Sequence, residues 1–165
     1  MVKEDDVILE DYTHDFNYNQ QVAALYGSYG REFGRFSGQL GLRTEFTYID
    51  AYMKDDADKN KPQQYLDFFP TGHLNFKLNE IDQLQASYAR RIRRPWYGQM
   101  APFHSFNDDR NIRTGNPDLK PVYTDSYEMS YLRFWEKGNI NFTAYYRHST
   151  DVIRNFTTVI DDISY

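Results

Sequence analysis

Phe36-Ser37-Gly38-Gln39-Leu40-Gly41-Leu42-Arg43-Thr44-Glu45-Phe46-Thr47-Tyr48 shows the clearest alternation of apolar and polar residues in the sequence. Successive side chains of a β-strand point to opposite faces, so Phe36, Gly38, Leu40, Leu42, Thr44, Phe46 and Tyr48 share one side. Ser37, Gln39, Arg43, Glu45 and Thr47 share the other. One face suits lipid and the other suits water. The run is long enough for the roughly 9–11 residues that a tilted strand needs to cross a bilayer, whereas strands of water-soluble domains are usually about half that length. It reads as one strand of an antiparallel, up-and-down transmembrane β-barrel.

Five further alternating runs extend the pattern to about six strands. Phe16 to Tyr29 is the weakest, because Val22, Ala24 and Tyr26 contrast little with Ala23 and Leu25. Leu74, Phe76 and Leu78 oppose His73, Asn75 and Lys77; Leu84, Ala86 and Tyr88 oppose Gln83, Gln85 and Ser87. Tyr127, Met129 and Tyr131 oppose Ser126, Glu128 and Ser130; Ile140, Phe142, Ala144 and Tyr146 oppose Asn141, Thr143, Tyr145 and Arg147.

The joints alternate in length. Short turns are expected at Glu32-Phe33-Gly34-Arg35, Asn79-Glu80-Ile81-Asp82 and Glu136-Lys137-Gly138-Asn139. A charged loop spans Lys54 to Pro62, and a long Pro/Asn/Asp/Gly-rich connection runs from about Arg93 to Pro121. In outer-membrane barrels short turns face the periplasm and long loops face outside. Phe33, Phe36, Phe134 and Trp135 then fall on an inner aromatic girdle, and Tyr48, Tyr52, Phe68 and Phe69 on an outer one.

Composition agrees. Of 165 residues, 18% are aromatic, yet mean hydropathy is -0.81. No run approaches the ~18 apolar residues of a membrane helix, and barrel strands escape such scans because half of each is polar. Cysteine is absent, which excludes a disulfide framework, a Cys-based zinc site and a thiol nucleophile within these residues. The net charge of -5 argues against a general nucleic-acid binder. Met1-Val-Lys-Glu-Asp-Asp does not read as a signal peptide, which suggests a segment of something longer.

Two stretches carry a family resemblance: Ser87-Tyr88-Ala89-Arg90-Arg91-Ile92-Arg93-Arg94-Pro95, and Asn111-Ile112-Arg113-Thr114-Gly115-Asn116-Pro117-Asp118-Leu119-Lys120-Pro121-Val122-Tyr123-Thr124. Both resemble the barrel of TonB-dependent outer-membrane receptors, in the branch known as the outer membrane protein β-barrel family. The motif positions are Arg90, Pro95, Gly115, Pro117, Asp118, Leu119 and Pro121. The resemblance implies an importer in the cell outer membrane: a barrel of roughly 22 strands around a plug, energised through TonB. Residues 1–165 would be about a quarter of that barrel. Its partners would be outer-membrane lipid, the plug, the remaining strands, the TonB complex and a small-molecule, oligosaccharide or peptide ligand. No plug, TonB box or terminal aromatic strand is recognisable in these residues.

Candidate ligand residues are Arg91, Arg93, Arg94, Trp96, Tyr97, Arg113 and Asn116. Guanidinium groups give bidentate contacts to carboxylate or phosphate, and indole and phenol rings stack on sugars or peptides. The plainer reading pairs the arginines with Glu45, Glu128 or Asp125 and packs the long loop on the barrel wall. The loop holding Asp56, Asp58 and Asn60 has Lys61 where a calcium loop needs Gly, so no metal is assigned. No cofactor is expected, and with no phosphate loop, nucleophile elbow or carboxylate dyad, neither is an enzyme.

The rival classes are a secreted soluble β-module, such as a sugar-binding sandwich, and a passive porin or secretion barrel. Leu42→Arg separates the first: in a barrel it blocks membrane assembly at a cost of roughly 2–4 kcal/mol, while Arg43→Leu is mild. Folding titrations into lipid vesicles read both, and a lipid-independent loss in water would instead support the sandwich.

Overall fold

A computed structural model describes residues 16–53, 62–101, 104–108 and 111–157. Six strands form one antiparallel sheet: β1 (Phe16–Phe33), β2 (Phe36–Met53), β3 (Gln63–Lys77), β4 (Asp82–Arg93), β7 (Val122–Trp135) and β8 (Gly138–Thr150). Their order in the sheet is β1-β2-β3-β4-β7-β8, an up-and-down meander. Between β4 and β7 lie one helical turn, α1 (Tyr97–Met100), and a two-stranded ribbon of β5 (His104–Asp108) and β6 (Asn111–Thr114). The all-β meander expected from the sequence is present.

The register carries each apolar face across the sheet. Phe33, Phe36, Phe76, Leu84, Tyr131 and Phe142 are successive partners in one row. Two rows further along, Tyr29, Leu40, Gly72, Tyr88, Tyr127 and Tyr146 form another. Leu25, Leu40, Leu74, Met129 and Phe142 on this face are exposed, as lipid-facing residues of a barrel wall must be. The opposite, inner face carries rows such as Glu32–Ser37–Asn75–Gln85–Ser130–Thr143. There a polar concavity of about 820 Å³ is lined by Gln39, His73, Asn75, Gln85, Ser87 and Glu128, among others.

The first two short turns each have a local cause. Phe33 pairs with Phe36 around a two-residue loop in which Gly34 adopts φ 58°, the first-position glycine of a type II′ hairpin. In the second turn Asn79 Oδ1 accepts from the amides of Ile81 (2.9 Å) and Asp82 (2.8 Å). The Tyr131 hydroxyl donates to Asp82 Oδ1 at 2.5 Å, tying that turn to β7. Phe36 and Phe76 stack at 4.3 Å beside these turns, as an inner girdle requires.

Three boundaries differ from the sequence reading. β1 continues to Phe33 and β2 to Met53, beyond the apolar alternation, because each supplies the other's ladder. β3 begins at Gln63, so Phe68 and Phe69 lie inside it rather than at its end. Phe69 belongs to the inner face and is buried, so it is no girdle residue. The connection from about Arg93 to Pro121 is structured, as α1 and the β5–β6 ribbon show.

β3 and β4 part company midway. Their pairing stops at Thr71–Ala89, next to Pro70, which has no N–H to offer a ladder. β4 stays paired with β7 up to Arg93–Val122. Beyond the split the β4–β7 pair leans across the inner side of β2–β3, where the Tyr123 hydroxyl donates to Asp67 Oδ1 at 2.7 Å.

Gly34→Ala places a Cβ in the left-handed region and should cost about 1 kcal/mol of barrel stability. A lower urea midpoint in vesicles, with native heat-modifiable mobility retained, is the expected outcome.

Candidate functional site

The chemistry collects where β4 runs into the long connection. Arg94 immediately follows β4 and turns back onto the inner face of β2. Its Nη2 donates to Glu45 Oε2 at 2.6 Å and to Thr47 Oγ1 at 2.8 Å. Its Nε donates to the Tyr65 hydroxyl at 3.2 Å. Glu45 also receives Arg43 Nε at 2.5 Å, so one carboxylate holds two guanidiniums. The Glu45 and Arg94 side chains are 7% and 16% exposed, which makes this a largely desolvated pair rather than a surface contact. Burial opposes the Arg94 charge, but the hydrogen bonds with Glu45 and Tyr65 outweigh it and its pKa is raised.

An apolar plug of side chains caps this network. Ile49 on β2 and Met100 on α1 are each 1% exposed, and Phe69, Ala101, Pro95, Pro121 and Val122 are buried with them. The start and the end of the connection are therefore packed on the barrel wall, as the plainer sequence reading had it.

The Gly115-Asn116-Pro117-Asp118 stretch fastens the far end. Gly115 N donates to Ala101 O at 2.9 Å, and Asn116 N donates to Gln99 O at 2.7 Å. A Cβ on Gly115 would lie 2.5 Å from Ala101 O and 2.7 Å from Gln99 O, both backbone atoms, so only glycine fits. Asn116 Oδ1 accepts from the Asp118 amide at 2.9 Å and Leu119 N reaches Asn116 O at 3.3 Å, which turns the chain into β7. Gln63 Nε2 donates to Pro117 O at 3.3 Å, linking the segment to β3.

The candidate ligand residues thus separate. Arg94 is engaged by Glu45, and Asn116 by its own turn. Arg90 lies 5.2 Å over the Tyr123 ring, while its cross-strand partner Asp125 accepts the Tyr88 hydroxyl at 2.7 Å. Neither Asp125 nor Glu128 pairs with an arginine among the described residues. Arg91 and Arg93 are exposed on the inner-face side of β4. Trp96 and Tyr97 are 57% and 58% exposed, edge to face at 5.0 Å, over Gly98, where any larger residue would collide with the indole. Arg113 lies on β6 opposite Ser105, its side chain outside the described residues, as is the charged loop with Asp56 and Asp58. Sequence reasoning missed Thr47, Tyr65, Asp67 and Tyr123 as members of the network; the inner-face parity of Glu45, Thr47, Tyr65 and Asp67 was the available signal.

Residues 2–165 match the outer membrane protein beta-barrel family. The chain is also similar to the cytochrome P450 monooxygenase phqL of Penicillium fellutanum, 27% identical over 124 residues, covering 68% of this chain and 22% of that protein. It therefore spans about a fifth of the length of that curated relative.

Arg94→Ala should cost on the order of 3 kcal/mol, the low end for breaking a buried pair because Arg43 still faces Glu45. Both Arg94→Ala and Gly115→Ala should expose residues 94–121 to limited proteolysis while the strands stay protected; equal resistance to wild type would contradict the clamped geometry.

Proposed function

Because the chain belongs to the outer membrane protein beta-barrel family, we propose that it forms part of the wall and lumen lining of a TonB-dependent receptor that imports a nutrient ligand across the outer membrane. The observation that carries this reading is the inward connection between β4 and β7, held to the lumen face by Arg94, Glu45 and Gly115. A loop clamped inside the barrel narrows the passage and presents side chains to whatever enters, which suits selective uptake better than open diffusion. Trp96 and Tyr97 then act as a stacking platform for a ring of the ligand, and the neighbouring arginines meet its polar groups.

The role is binding and passage, with no catalytic step assigned to these residues. Partners follow from the role: lipid on the apolar face, the remaining strands at the β1 and β8 edges, a plug within the lumen and the TonB complex that energises it.

Uptake of the cognate nutrient in cells carrying the intact protein should stop when the inner-membrane proton gradient is collapsed, with ligand binding to isolated outer membranes retained. Uptake that continues without the gradient would replace the importer with a passive channel. Trp96→Ala should weaken binding by about tenfold, in line with about 1–3 kcal/mol for a stacked ring.

A further inference from the structure

Beyond the clamped Arg94, the inner face of β4, β7 and β8 holds a second group of cations with no neutralising partner among the described residues. Arg91 and Arg93 lie two residues apart on one side of β4, so their Cα atoms are about 7 Å apart. Arg91 is the partner of Thr124, whose own partner on β8 is Ser149. In the adjacent row Ser126 joins Ala89 to Arg147. All three guanidiniums therefore rise from one face over neighbouring rows, and all three residues are exposed. The hydroxyls between them are in contact, Thr124 Oγ1 and Ser149 Oγ lying 2.9 Å apart.

No carboxylate shares these rows among the paired, described residues. Glu128 is one row away, between Ser87 and Tyr145, and makes no ion pair among the described residues. Arg91, Arg93 and Arg147 likewise have no hydrogen-bond, ion-pair or ring partner there. This contrasts with Arg43, Arg90, Arg94 and Arg133, each of which has a carboxylate or an aromatic ring. Three like charges on a lumen wall repel one another unless an anion lies between them. Guanidinium forks bind oxyanions through paired N–H groups, and hydroxyls between them supply further donors.

We propose that Arg91, Arg93 and Arg147, with Thr124, Ser126 and Ser149, form an oxyanion subsite on the inner wall that takes a ligand bearing a carboxylate, sulfate ester or phosphate group. The subsite deepens the proposed uptake role by naming a ligand class. It rests on the water-facing lumen of that reading and is independent of energy coupling.

The test is calorimetric titration of the intact protein in detergent micelles with citrate, inorganic sulfate and inorganic phosphate, and with maltotriose as a neutral control. At least one oxyanion should bind, more weakly as sodium chloride rises, and the three probes separate carboxylate, sulfate and phosphate as the preferred source. The variant Arg91→Gln/Arg93→Gln/Arg147→Gln should weaken that binding by about tenfold or more without altering heat-modifiable mobility. If the triple variant does not assemble, Arg93→Gln and Arg147→Gln singly should each weaken it by about threefold or more. No oxyanion binding to wild type at low salt, or unchanged affinity in the variants, overturns the proposal. Oxyanion binding with uptake that ignores the proton gradient keeps the subsite and removes the importer; gradient-driven uptake without oxyanion binding does the reverse.

Discussion

Lipid offers a peptide group no hydrogen-bond partner, and every main feature of this chain follows from that constraint. A strand in the bilayer must pair on both sides, so the sequence runs as consecutive antiparallel hairpins in which each strand supplies its neighbour's ladder. Pairing fixes register, and register fixes faces: a slip by one residue would turn Leu40 and Leu42 inward and Arg43 and Glu45 into lipid. The alternation and the ladder are thus one requirement seen twice. Where the ladder between β3 and β4 ends, beside Pro70, the chain leaves the wall and builds its interior structure.

That departure explains which parts were legible beforehand. β2 could be read in full over its apolar stretch because its side chains there divide between a lipid-facing and a polar inner face, even where Glu45 and Thr47 are buried by the connection. β1 could not, since Val22, Ala24 and Tyr26 on its inner face are as apolar as the residues facing lipid, and only its pairing with β2 carries it to Phe33. Phe69 misled for the same reason. An aromatic beside Phe68 looks like girdle, but its parity places it inside, and only the packing of the long connection onto β2 and β3 shows why an apolar inner residue is needed.

The arginine run shows the same limit in electrostatic form. Four guanidiniums between Arg90 and Arg94 fall into two sets by strand parity, Arg90 with Arg94 and Arg91 with Arg93, but parity alone does not say which set is engaged. That choice comes from the lean of β4 and β7, which brings the end of one face against β2–β3 and leaves the other toward the lumen. Arg94 is drawn into a desolvated pair with Glu45, Arg90 rests on Tyr123, and Arg91 and Arg93 remain in water. A buried ion pair is a weak source of net stability, because desolvation offsets most of its attraction. Its value here is specificity: Glu45, Thr47 and Tyr65 together fix where the connection enters the lumen.

The family motif gains a physical meaning from this arrangement. Gly115 is demanded by backbone crossing backbone, Asn116 by an amide it caps, and Pro121 by burial at the start of β7. None of these constraints concerns a ligand. They hold the loop's two ends, and leave the positions between and beside them, Trp96, Tyr97, Arg91 and Arg93, largely exposed. A clamp of that kind lets one scaffold change its ligand by changing exposed side chains while the clamp stays intact. Motif residues therefore report the barrel, and the proposed binding role falls to the exposed residues between and beside them.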